Sequence, residues 1–137
     1  MSVDDRPATP EDVEALCLGL PEVELGVSWG DRPTFKVPRG AKGKGFVLYR
    51  RPHKTAIDPA TGQEYDDLLV IRTATEAEKL ALVAQGPFFT VPHFDGYNAV
   101  LVQESRLGEI TLAELREVIE DAWRAVAPKR LVRELDG

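Results

Sequence analysis

Cysteine is almost absent from this chain: Cys17 is the only one among 137 residues. A lone thiol closes no internal disulfide and offers no CxxC pair for zinc or redox chemistry. A reducing, cytoplasmic setting is therefore expected. Long apolar runs are missing as well. Nothing approaches the roughly 18–20 consecutive apolar residues of a spanning helix, and residues 1–10 are polar and acidic where a targeting segment would be basic and then apolar. No membrane association is expected. Histidine is scarce, with only His53 and His93, too few to suggest a three- or four-ligand metal site. No Gly-x-Ser-x-Gly motif surrounds Ser28 or Ser105, so no activated nucleophile is indicated. These absences point to a protein without catalytic activity, metal or cofactor.

Apolar residues make up 43% of the chain and charged residues 29%, enough to bury one core and too apolar for a disordered tail. At this length a single domain spanning residues 1–137 is expected.

Acidic residues are missing from one stretch. Residues 32–54 hold Arg32, Lys36, Arg39, Lys42, Lys44, Arg50, Arg51 and Lys54 and no Asp or Glu, a local charge of +8. The rest of the chain, with nine basic and 23 acidic residues, carries −14, and the whole carries −6. Such a division predicts an anion-binding face on an otherwise acidic protein. A solvated hairpin whose cations keep a sheet edge from pairing with other chains would have the same composition.

Periodicity supplies the elements. Thr9-Pro10-Glu11-Asp12 has a cap, a first-turn proline and acids at the positive end of a helix dipole. Val13, Leu16, Cys17 and Leu20 then form one stripe before Gly19 and Pro21 stop it. Cys17 reads as a small core residue. From Val23 the period changes to two, with short runs at 34–37 and 46–49 separated by Gly30-Asp31 and by the tract at 38–45. These are hairpin strands with a basic, glycine-rich tip. Residues 52–67 read as a surface loop, and 68–71 as a central strand.

Thr75 with Glu78 opens a second helix, whose core candidates are Leu80, Leu82 and Val83. Residues 88–91 and 97–102 suggest a strand pair across a turn ending in Asp95-Gly96. Thr111 and Glu114 begin the last helix, with Leu112, Leu115, Val118, Ile119, Ala122 and Val126 on one side and Pro128 as its stop. On its outer face Glu120 and Arg124 have the spacing of an i,i+4 pair. The order helix, strands, helix, strands, helix with short connections predicts the α+β class: an antiparallel sheet with helices packed on one face.

The glycine tract fails as a phosphate loop. Phe46 and Val47 follow Gly45 where Lys and Ser or Thr are required, and Leu48 occupies the third glycine position of GxGxxG. His93, with Asp95 and Tyr97 after it, reads as a turn histidine, and His53 belongs to the basic stretch. Trp29, beside Gly30, is a candidate exposed anchor for a partner, while Trp123 reads as a packing residue.

Leu20-Pro21-Glu22-Val23 leading to Ser28-Trp29-Gly30, Pro33-Thr34-Phe35-Lys36-Val37 and Gly43-Lys44-Gly45-Phe46-Val47 resembles the first half of the MmcQ/YjbR family. Gly96-Tyr97-Asn98-Ala99-Val100, the helix at 112–127 and Ala127-Pro128-Lys129-Arg130-Leu131 resemble its second half, so the likeness covers about residues 9–133. It implies a frataxin-like fold and, through a likeness to double-wing phage factors, DNA binding. The sequence departs from the family pattern at His93-Phe94-Asp95-Gly96, where many relatives carry lysines.

Two roles follow as expectations. One is DNA binding through the basic hairpin, with Lys36, Arg39, Lys42, Lys44, Arg50, Arg51 and Lys54 meeting phosphates. The alternative is a non-enzymatic interaction domain that docks an acidic protein through the same hairpin.

Overall fold

The computed structural model describes residues 3–28, 32–50 and 52–137. Trp29, the Gly30-Asp31 turn and Arg51 lie outside the described residues. Five strands form one antiparallel sheet in the order β1 (Glu24–Ser28), β2 (Arg32–Val37), β3 (Lys44–Arg50), β4 (Leu68–Arg72) and β5 (Ala99–Gln103). Helix α1 (Pro10–Leu18) precedes the sheet, α2 (Glu76–Gln85) connects β4 to β5, and α3 (Leu112–Val126) and α4 (Lys129–Asp136) follow it. This is the α+β architecture expected from the pattern. No helix among the described residues is long and apolar enough to cross a membrane.

Strand parity divides the side chains between two cores. Phe35, Val47, Leu69, Ile71, Val100 and Val102 face the helices, where they meet Val13, Cys17, Leu115, Ile119 and Trp123. Leu48, Leu68, Val70, Ala99 and Leu101 face the other way and are covered by Ala56, Phe94 and, at the margin, Tyr65, Phe89 and Val91. The unbroken apolar run of β4 follows from this: both its faces are dry. Helices cover one face, and the connections at 52–67 and 86–98 cover part of the other.

The helix ends form as their sequences direct. Thr111 Oγ1 accepts from the Glu114 amide and Glu114 Oε1 from the Thr111 amide, each at 3.1 Å, a reciprocal box at the start of α3. At α1, Asp12 Oδ2 accepts from the Thr9 amide at 2.8 Å, and Arg6 clamps the same carboxylate. Trp123 is fully buried and its indole donates to the Pro21 carbonyl at 3.2 Å. This joins α3 to the turn before β1.

Several local expectations differ. In α2 it is Lys79 that is buried, whereas Leu80 is 59% exposed. Leu82 and Val83 pack against the core as expected, but the helix places position 79 over the 92–97 segment, where main-chain oxygens receive the ammonium group, so polarity alone misjudges that position. Residues 88–91 form no strand beyond a bridge of Phe89 to Leu101, because Pro87 and Pro92 bracket a segment too short for a ladder. Leu25 and Val27 alternate as in a strand, yet stand 49% and 57% exposed. β1 is the edge of the sheet, and neither residue packs into either core. Pro128 ends α3 but also caps α4, so the chain re-enters a helix at once. Arg124 bonds Asp136 of α4 at 2.7 Å and also feels the charge of Glu120, its expected i,i+4 partner.

One irregularity shapes the surface. Phe35 pairs with Val47 but Lys36 with Gly45, so Phe46 is an extra residue in β3, a bulge. A Cβ on Gly45 would come within 2.6 Å of Thr34 Cγ2. Glycine at this position lets the two strands close while leaving open space beside them.

Candidate nucleic-acid interface

The β2–β3 hairpin separates the +8 stretch into two ends. Lys36 and Lys44 lie next to the tip, where Arg39 and Lys42 are exposed. Arg32, Arg50 and Lys54 belong to the far end, about 20 Å away at 3.4 Å per residue along β3. Cations contiguous in sequence are therefore not one patch.

At the far end Arg50 is turned inward. It is 5% exposed, its guanidinium carbon stands 5.2 Å from the Phe94 ring centroid, and Nη2 donates to Thr55 Oγ1 at 2.6 Å. Burial, with Arg32 adding like-charge repulsion, lowers its pKa below the usual arginine value. Its parity matches that of Leu48, and that face is covered by the 94 and 56 segments. The expectation that Arg50 extends an exposed basic surface is corrected accordingly. Lys54 is exposed beside His53, whose Nδ1 lies 2.9 Å from Thr55 Oγ1. His93 lies edge-on to Phe94. No group of three or more His, Cys, Asp or Glu residues suited to a metal ion occurs among the described residues.

The tip is held by an acid. Glu24 Oε1 accepts from the Gly40 amide at 2.7 Å, tying the turn back to β1. Gly40 has φ of +98°, and a Cβ on Gly43 would meet the Pro38 carbonyl oxygen at 2.7 Å. Both positions need glycine for the tip to take this shape. Lys36 Nζ donates to the Val27 carbonyl at 3.2 Å, which draws that cation toward the sheet.

The structure adds cations that are remote in sequence. Arg130, in the first turn of α4, bonds Glu22 Oε2 at 3.0 Å, and this hydrogen bond is the main reason the Glu22 carboxyl titrates below its ordinary value. Glu22 also feels the field of Arg39. Thus α4 and the hairpin tip share one end of the molecule, with Lys129 exposed nearby. Arg72, the last residue of β4, reaches the same end. Its guanidinium stacks over Tyr97, 5.1 Å from the ring centroid, and Nη1 donates to the Tyr97 hydroxyl at 3.2 Å.

A cleft of about 650 Å³ opens between these parts, behind the bulge. Lys44, Arg72 and Tyr97 supply polar groups, Leu48, Val70 and Val126 apolar walls, and no carboxylate among the described residues lines it. Acids collect elsewhere: Glu78, Glu114, Glu117 and Asp121 flank the groove between α2 and α3. From Glu114 to Val126 is about 18 Å along α3. The charge asymmetry of the sequence thus persists in three dimensions, with its positive pole at the tip, the cleft and α4.

Sequence reasoning placed Lys44, Arg39 and Lys42 at the tip but missed Arg72. A single cation ending an apolar strand carries no local signal of what it will face. Lys129 and Arg130 are adjacent in the sequence, and their position beside the hairpin depended on where α3 ended.

The comparisons agree with this architecture. Uncharacterized protein Rv2570 of Mycobacterium tuberculosis and uncharacterized protein Mb2600 of Mycobacterium bovis are each 49% identical over 102 residues, covering 66% of this chain and 74% of theirs. The crystal structure of Deinococcus radiodurans protein DR2400, a DUF419 domain, matches the fold with a TM-score of 0.63 at 18% identity, over 98% of this chain and 91% of that one. The YjbR family model matches residues 18–125, from the end of α1 through the sheet and nearly all of α3, and the chain belongs to the YjbR family.

Proposed function

We infer that this protein is a non-enzymatic DNA-binding domain of the cytoplasm that grips phosphates with its positive end. The observation carrying the reading is that Arg39 and Lys42 of the hairpin tip and Lys129 of α4 stand at the end of the molecule where Lys44 and Arg72 line a cleft with no carboxylate among its described residues. Glu22 and Glu24 at the same end are already engaged, one with Arg130 and one with the Gly40 amide. Glu114 and Glu117 of the α2–α3 groove lie about 18 and 14 Å along α3 from Val126, beyond the screening distance of about 8 Å at physiological salt, so they leave the cations effective.

Binding of labelled duplex and single-stranded DNA at 25, 75 and 150 mM salt tests the reading. With three or four phosphate contacts, log K falls against log salt with a slope of about −3 to −4. Changing Arg39, Lys42 and Lys44 together to Glu abolishes binding. No binding at the lowest salt, or a flat salt response, overturns the reading.

A second reading has its own support. Leu25 and Val27 form an exposed apolar pair on the edge strand, which suits a protein partner with acidic groups for the neighbouring tip. Recovery of a stoichiometric acidic protein after nuclease treatment, lost on changing Leu25 and Val27 to Ser, would favour it over DNA.

A further inference from the structure

We propose that the cleft behind the β3 bulge is a binding site for one nucleoside 5′-phosphate, with the phosphate between Lys44 and Arg72. This goes beyond DNA binding by the positive end and stands on the cleft alone.

The dimensions suit such a ligand. A volume of about 650 Å³ lies within the roughly 300–1,000 Å³ of small-molecule sites. The cleft also has the mixed chemistry that a nucleotide requires. Two cations with no carboxylate among the described lining residues favour a dianionic phosphate. Leu48, Val70 and Val126 provide apolar contact for a base.

Arg72 is prepared for the phosphate. Its Nη1 bond and its stacking on Tyr97 fix the guanidinium plane, while Nη2 has no hydrogen-bond partner among the described residues. Its Nε is buried without a partner, so the side chain is held there by packing and by Tyr97. A fixed guanidinium loses little freedom when it binds an anion.

The opposite wall sets the orientation. Ala125, Val126 and Ala127 form the C-terminal end of α3. Its last carbonyls lack helical donors and carry the negative end of the dipole. That end repels a phosphate and accepts the exocyclic amino group of a base. The phosphate therefore lies at the Lys44 and Arg72 side and the base toward α3. Gly45 keeps the path open, since a side chain there would collide with Thr34.

Calorimetric titration of the full chain with AMP, adenosine and inorganic phosphate at 50 mM salt tests the proposal, with NMR shifts to locate the site. AMP binds at least tenfold more tightly than either fragment, and the shifts centre on Lys44, Arg72 and Tyr97. Lys44→Ala, an exposed change compatible with the fold, weakens AMP about tenfold. Val126→Trp, which fills the apolar wall, removes binding. No heat and no shifts at 5 mM AMP, or phosphate alone binding as well as AMP, overturns the proposal. So does a Lys44→Ala variant of unchanged affinity.

Competition by a 5′-phosphorylated oligonucleotide, but not by its 5′-hydroxyl counterpart, identifies a strand end as the source of the nucleotide. Absence of such competition identifies the free nucleotide. AMP binding without duplex binding removes only the DNA reading. Duplex binding without AMP binding removes only this site.

Discussion

Lys79 of α2 is buried beneath the 92–97 segment and donates from Nζ to the main-chain oxygen of Phe94 at 2.8 Å, with a second bond of equal length to the oxygen of Tyr97. One ammonium group thus joins a helix to the loop that carries both the Phe94 cover over Arg50 and the Tyr97 support of Arg72.

Lys79→Met keeps the stem and removes these bonds. Each carbonyl keeps a main-chain donor, the Tyr97 amide for Phe94 and the Ala99 amide for Tyr97, but loses its charged one, and a loss of about 1–3 kcal/mol is expected. Urea unfolding measures it. The loosened loop also weakens whatever anion binding depends on Arg72, whereas Leu80→Ala, on the exposed side of the same helix, leaves both properties nearly unchanged.

Arg50 bears on stability and contributes no phosphate contact. Nε and Nη1 are buried with no hydrogen-bond partner among the described residues, so the charge is incompletely compensated. Arg50→Met retains the packing against Phe94 without that charge. Its stability is expected to stay within about 1 kcal/mol of the parent or rise. Its salt slope for DNA is the same as that of the parent, whereas removal of Lys44 makes the slope shallower by about one.

Asp12 controls the acid limb. The hydrogen bond from Arg6, aided by Thr9, holds its carboxyl at about 2, below the ordinary 3.8. A folded-state pKa depressed in this way contributes stability above the unfolded value and loses it as pH falls from about 4 toward 2. Asp12→Asn is expected to cost about 1–2 kcal/mol at pH 7, since Arg6 is partly solvated. The difference between variant and parent shrinks as the pH drops to 2. Thermal unfolding across that range measures both effects.

Cys17 is fully buried in the α1 stripe, and burial raises its thiol well above the usual value. Thiolate is the reactive form. The native protein is expected to resist alkylation over a period in which the urea-unfolded chain reacts completely. Rapid modification of native protein would show that α1 opens readily.

Signals confined to one turn of chain were readable without the structure. Thr9 and Asp12 mark the start of α1, Thr111 and Glu114 that of α3, and the Leu112 to Ala122 stripe its buried face, because caps and helical periodicity act over three or four residues. The antiparallel arrangement followed from short connections, and the tip from its glycines. The second core was not readable. Arg50 and Leu48 share a strand face, and nothing near them in sequence tells that Phe94 and Ala56 will cover it.

The limits of α2 and the packing of Leu82 and Val83 were likewise readable, but not the burial of Lys79, which finds its acceptors in a later loop. By itself the sequence determined helices α1, α2 and α3 and the hairpin strands, and that one hairpin tip would be basic, but it showed neither α4 nor the lack of a strand at 88–91. The tertiary structure alone decided that Lys44 would meet Arg72, Tyr97 and the end of α3 around one cleft. That meeting depends on strand order, the bulge at Phe46 and the docking of α3, which are long-range consequences of burying two cores at once.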